Sequence, residues 1–165
     1  MASEHSLDIS AKIDLQAFKD AIAQSEKEVI GRYDFKGVAY EINYREKEKQ
    51  LVLVASSDNK LDALKDVVIG KLIKRGLSSK ALEELKTEDA SGGSRKATYK
   101  IVDTIDSKEA KKIIVEIKAL KTKASAIIEG EYIRVKSKQI DELQKIMAHI
   151  KGMEWEAPLV FENFR

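Results

Sequence analysis

The chain has 165 residues, 43% of them hydrophobic and 35% charged, with a formal net charge of +2. That is enough apolar material for one large core or two small ones, and it excludes a chain disordered by composition. Zero cysteines exclude disulfides and thiolate chemistry, no apolar run approaches the ~20 residues of a membrane span, and "MASEHSLDIS" lacks a secretory pattern, so a soluble cytoplasmic protein is expected.

In chain order, "DISAKI" (about 7–13) is a first strand. Asp14 is placed as the N-cap of a helix whose Leu15, Phe18, Ile22 and Val29 recur at helical spacing, with Gly31 as its stop. "GRYDFKG" (31–37) follows, with Tyr33 and Phe35 alternating with Asp34 and Lys36 as in an entering strand. Taken as a strand, it buries both rings and leaves both charges in water. Taken as a surface, it offers one ring for stacking, Arg32 or Lys36 for a phosphate, and Gly37 for close backbone approach. "AYEINYR" (39–45) and "LVLVA" (51–55) alternate around the turn "EKEK" and make a hairpin.

The second helix carries Leu61, Leu64, Val68 and Leu72, with Asn59 and Asp62 spaced as a capping box and Gly76 as terminator. Its last turn, "GKLIKRG" (70–76), places Lys71, Lys74 and Arg75 where they complement the helix dipole or grip a phosphate. "ALEELK" (81–86) is a weaker strand and "EDASGGSR" (88–95) reads as a linker.

"TYKIVDT" (98–104) is a strand, followed by a helix opened by Asp106 and Glu109 with Ala110, Ile113, Ile114 and Ile117 on its stripe. That helix has lysines at 108, 111, 112, 118, 121 and 123, which make either a solvated face or a nucleic-acid contact. "ASAII" (124–128) and "YIRVK" (132–136) form a second hairpin around Glu129-Gly130. A fourth helix starts near Ser137, carries Ile140, Leu143, Met147 and Ile150, and stops at Gly152. Trp155 then reads as a plug at the core's edge, and "PLVFENF" (158–164) is the last strand.

The order of strand, helix, hairpin, helix and strand occurs twice, and "LVLVASSDNKLDAL" lines up with "YIRVKSKQIDEL". The expected fold is α+β: two ferredoxin-like domains, 1–92 and 93–165, each a four-stranded antiparallel sheet with two helices on one face and the other face open. The strand near 7–13 pairs within its own domain or crosses to the other sheet. Residues 1–92 carry 15 Lys+Arg against 17 Asp+Glu, and residues 93–165 carry 15 against 11, a bias that fits either solvated helix faces or a polyanion surface. No Walker loop, G-x-S-x-G, H-E-x-x-H or paired metal-ligand spacing occurs, so no enzyme, no metal and no cofactor are expected.

The blocks "DISAKIDLQ", "YDFKG", "KLIKRG", "KKIIVEIK", "ASAIIEGEYIRVKSKQIDELQ" and "FENFR" resemble the YajQ family of bacterial nucleotide-binding proteins, nearly end to end. The resemblance implies two related RNA-binding-type domains with exchanged or permuted strands, and binding of a nucleotide or RNA without an established reaction. The ligands it leaves open are tRNA, GTP or ATP, and cyclic di-GMP, although the chain has no R-x-x-x-R or R-x-x-D pattern. The expected contacts are Arg32, Tyr33, Lys36, Lys74, Arg75, Lys111, Lys112 and Arg165, supported by Gly31, Phe35, Gly37 and Phe164. The alternative is a protein-interaction module or transcription-related regulator whose sheet faces meet a protein partner; no membrane partner is expected.

Overall fold

The computed structural model describes residues 4–165. The chain runs β1 (His5–Ser10), α1 (Leu15–Gly31), β2 (Tyr40–Arg45), β3 (Gln50–Ala55), α2 (Asp58–Lys74), β4 (Leu82–Asp89), β5 (Arg95–Ile101), α3 (Ser107–Ala119), β6 (Ser125–Glu129), β7 (Tyr132–Ser137), α4 (Ile140–Lys151) and β8 (Val160–Glu162). The strands form two four-stranded antiparallel sheets, β2-β3-β5-β4 and β6-β7-β1-β8. Two compact units result: a middle unit, Ile13–Val102, and a terminal unit that joins the segment ending at Lys12 to Asp103–Arg165.

These units differ from a division after residue 92, because apolar side chains decide where each strand goes. Ala97, Tyr99 and Ile101 of β5 enter the core of the middle unit, so β5 pairs with β3 and β4 and residues 88–95 span the close of a hairpin rather than a linker. Leu7 and Ile9 of β1 enter the other core, and β1 lies between β7 and β8. The charge bias goes with the boundary. Residues 13–102 carry 17 Lys+Arg against 15 Asp+Glu, and the rest of the chain carries 13 against 13.

In the terminal unit β1, α3, β6, β7, α4 and β8 follow one another as strand, helix, strand, strand, helix, strand, with the first strand inside the sheet. The middle unit has the same arrangement if β5 is counted first, so its inner strand is the last that the chain delivers. Each sheet is covered by its two helices on one face. Phe18, Leu51, Leu53, Leu64, Leu72 and Tyr99 are fully buried in the middle unit, and Leu7, Ile9, Ile113, Ile117, Ile133 and Leu143 in the terminal unit. Burial lifts the Tyr99 phenol to about 12. The faces turned away from the helices are polar at their margins but closed at their centres, with Val52 2%, Thr98 6% and Asp8 4% exposed.

Local chemistry explains the helix ends. Asp14 caps α1, its Oδ1 accepting from the N–H groups of Gln16 and Ala17 at 3.0 and 3.1 Å. Ser57, not Asn59, caps α2 by accepting from Lys60 N–H at 3.2 Å, so Asn59 and Asp62 lie inside the helix. Gly76 (φ +82) ends α2: Leu77 N–H reaches back to Leu72 O at 2.9 Å and Gly76 N–H to Ile73 O at 3.0 Å. Ser137 belongs to β7, and its hydroxyl accepts from Gln139 N–H before α4 begins at Ile140.

Candidate functional site

Residues 31–37 do not enter a strand. Tyr33–Phe35 form a single 3-10 turn, with Lys36 N–H donating to Tyr33 O at 3.1 Å and Val38 N–H to Phe35 O at 3.0 Å. A tight turn points neighbouring residues in different directions, where a strand would send Tyr33 and Phe35 the same way. Phe35 is therefore buried (4% exposed) with its ring edge-on to Tyr40 at 5.8 Å, whereas Tyr33 is 90% exposed. The reading with two buried rings fails at Tyr33. Gly37 (φ +75) takes the backbone angle that a side chain resists, but Gly31 does not. Gly31 is the last helical residue, and α1 ends because Arg32 turns extended.

The cations of this junction are unequally available. Arg32 Nε and Nη2 donate to Asp34 Oδ1 and Oδ2, each at 2.9 Å, and its Nη1 lies 3.6 Å from Glu28. The hydrogen bond from Arg32 holds the Asp34 carboxyl below the usual carboxylate range, and its counterpart raises Arg32. The Lys60 ammonium donates to the Asp34 carbonyl and sits 5.5 Å from the Phe35 ring centre. Glu28 in turn takes Lys71 at 2.8 Å, and the Lys71 hydrogen bond lowers its carboxyl with a smaller contribution from the Lys74 charge. Glu28 thereby links the junction to the last turn of α2. Arg75 lies 3.9 Å from Asp20. Lys36 and Lys74 are exposed, and among the described residues neither makes an ion pair.

In the terminal unit Lys111 and Lys112 of α3 line a cavity of about 820 Å³ with Met153 and Trp155. Its far wall is held by Glu109, which is buried and accepts from the N–H groups of Glu156 at 2.7 Å and Ala157 at 2.9 Å. Trp155 donates its indole N–H to Ile150 O at 2.9 Å and packs against the core of this unit. Arg165 lies elsewhere in the unit. Its backbone exchanges hydrogen bonds with Ser6 at 3.0 and 3.2 Å and its charge helps to lower Asp8, while Phe164 packs against the core.

The family model described as "Nucleotide-binding protein YajQ-like" matches residues 5–165. The chain belongs to that family. Over its full length and theirs, it is 67% identical to a nucleotide-binding protein of Sulfurimonas denitrificans, 54% to one of a Sulfurovum species and 53% to one of Campylobacter concisus. These YajQ-like relatives are named for binding and not for a reaction. No helix of the described residues is long and apolar enough to cross a membrane, and no three described His, Asp or Glu residues stand together as metal ligands.

The sequence singles out residues 31–37 but not what holds them, namely Asp34, Glu28 and Lys60. The role of Glu109 was missed too, although a signal existed. Glu109 shares the i, i+4 spacing of Ile113 and Ile117, which places it on the buried stripe of α3.

Proposed function

We propose that this chain is a non-enzymatic, cytoplasmic nucleotide-binding protein whose ligand docks on the middle unit at residues 31–37. The observation that carries the reading is Tyr33, whose ring is 90% exposed on a turn anchored from beneath by Phe35. An exposed ring on an anchored turn suits base stacking, and Lys36 and Lys74 remain to meet phosphate, while Arg32 and Arg75 hold the surrounding acids. Asp34 and Glu28 are held low by their cationic partners, which makes them poor general bases.

The near-neutral middle unit favours a nucleotide over a long RNA, because a polyanion is drawn chiefly by summed positive charge. The test is a titration with GTP, ATP, cyclic di-GMP and tRNA over a salt series. Tyr33→Ala and Lys36→Ala should each weaken nucleotide binding about tenfold with unchanged melting. Unaltered affinity in both variants overturns the site, and tRNA binding that is steeply salt-dependent and tighter than that of any nucleotide restores the RNA reading.

A protein partner is the second reading, favoured by Ile30 (76% exposed) and Ile73 (57%) near the ends of α1 and α2. A pull-down whose protein survives nuclease treatment would support it.

A further inference from the structure

We propose a second, separate ligand site in the terminal unit: the cavity between α3 and the 153–156 segment, which takes a nucleoside monophosphate or a like-sized planar anion. Its volume of about 820 Å³ lies within the range of small-molecule sites. α3 lines the cavity with Lys108, Lys111, Lys112 and Val115, and the facing segment adds Met153 and Trp155. The three lysines are exposed and none is in an ion pair among the described residues.

The cavity also has acids, and they narrow the ligand. Asp106 accepts from Lys108 N–H at 2.7 Å, Glu109 from the backbone N–H groups of 156 and 157, and Glu116 faces His149 at 4.0 Å. Glu154 and Glu156 complete the lining. These five carboxylates outnumber the three ammonium groups, so the lining takes one phosphate set against the lysines and opposes three, each added negative charge meeting the acids as well as the lysines. An aromatic base against Trp155 and a single phosphate at the lysines fit that balance.

The wall is built to keep its shape. Glu109 fixes the backbone at 156 and 157 from beneath, and the indole N–H is tied to Ile150 O, so the ring is held rather than free to collapse into the space.

Trp155 is the only tryptophan in the chain, so its emission reports on this cavity alone. The full-length protein is excited at the red edge of indole absorption and titrated with AMP, GMP, ATP and inorganic phosphate, with correction for absorbed light. A saturable change with the monophosphates is expected, weaker with ATP and absent with phosphate alone. Lys111→Gln and Lys112→Gln should each weaken it about tenfold without altering circular dichroism. Tyr33→Ala should leave this response in place even where it abolishes binding at the middle unit. No saturable change at millimolar nucleotide, an undiminished response in both lysine variants, or loss of the response in Tyr33→Ala would overturn the proposal.

Discussion

Asp8 Oδ1 and Oδ2 accept hydrogen bonds from Arg134 Nε and Nη2 at 3.0 and 3.3 Å, although 126 residues separate the two in sequence. Asn163 Nδ2 donates to the same carboxylate at 2.9 Å, so one buried acid on β1 ties together β7 and the segment after β8. Arg134 also lies 3.5 Å from Glu129 and 5.2 Å from the Tyr132 ring centre, which extends the network to the turn after β6.

This network makes the terminal unit acid-sensitive. Burial works to raise the Asp8 carboxyl, but the Arg134 and Asn163 hydrogen bonds and the charges of Arg134 and Arg165 outweigh it, leaving it below its ordinary value of 3.8. A carboxyl lowered on folding contributes stability above its unfolded value, and that contribution is lost as pH falls through the folded one. Melting followed between about pH 6 and about pH 2 should show a drop below 3.8 that Asp8→Asn flattens. At neutral pH, Asp8→Ala should cost about 2 kcal/mol, measured by urea unfolding.

Phe35 and Tyr33 should separate cleanly. Phe35→Ala removes a buried ring and should cost about 3 kcal/mol. Tyr33→Ala removes an exposed one and should stay within about 0.5 kcal/mol of the parent. Thermal melting of the two variants checks both, and a Tyr33 variant as unstable as the Phe35 variant would show the ring to be structural.

Glycines 31 and 76 should respond in opposite senses. Nothing lies within 4 Å of a methyl group built on Gly31, and its backbone is helical, so Gly31→Ala should be neutral or stabilise by up to about 1 kcal/mol. Gly76→Ala puts a side chain at φ +82 and should destabilise by about 1 kcal/mol. Denaturant midpoints at constant slope give both signs.

Glu109→Ala leaves two backbone N–H groups without their acceptor and should cost about 2 kcal/mol. Because those groups hold the segment that bears Trp155, its emission should shift to the red before global unfolding. Unchanged emission would show that packing and the bond to Ile150 O fix Trp155 without Glu109.

The helices and hairpins were legible because each buries one stripe or one strand face, and that periodicity is written locally. Asp14 and Gly76 could be read for the same reason. Strand ownership could not be read that way. β1 and β5 each carry a short alternating pattern that fits either sheet, and only the packing of Leu7, Ile9 and Tyr99 decides between them. The lysine excess of the second half followed from the misplaced boundary and has no counterpart in the folded units. At the junction, two rings spaced i, i+2 imitate a strand, and the turn that separates them is held by Tyr40 five residues on and by Lys60, which is distant in sequence.

The placement of β1 has a consequence for synthesis on the ribosome. The middle unit holds all its strands once residue 102 has emerged, and can close while the rest is still being made. β1 must wait, with Leu7 and Ile9 uncovered, until β7 and β8 arrive more than a hundred residues later. Ile13 and Ile101 join one core in the finished middle unit, so its folding replaces a long flexible loop between β1 and α3 with a compact body, and lowers the entropy lost when β1 docks. The nascent chain therefore has a built-in schedule, in which its first strand is among the last to find its neighbours.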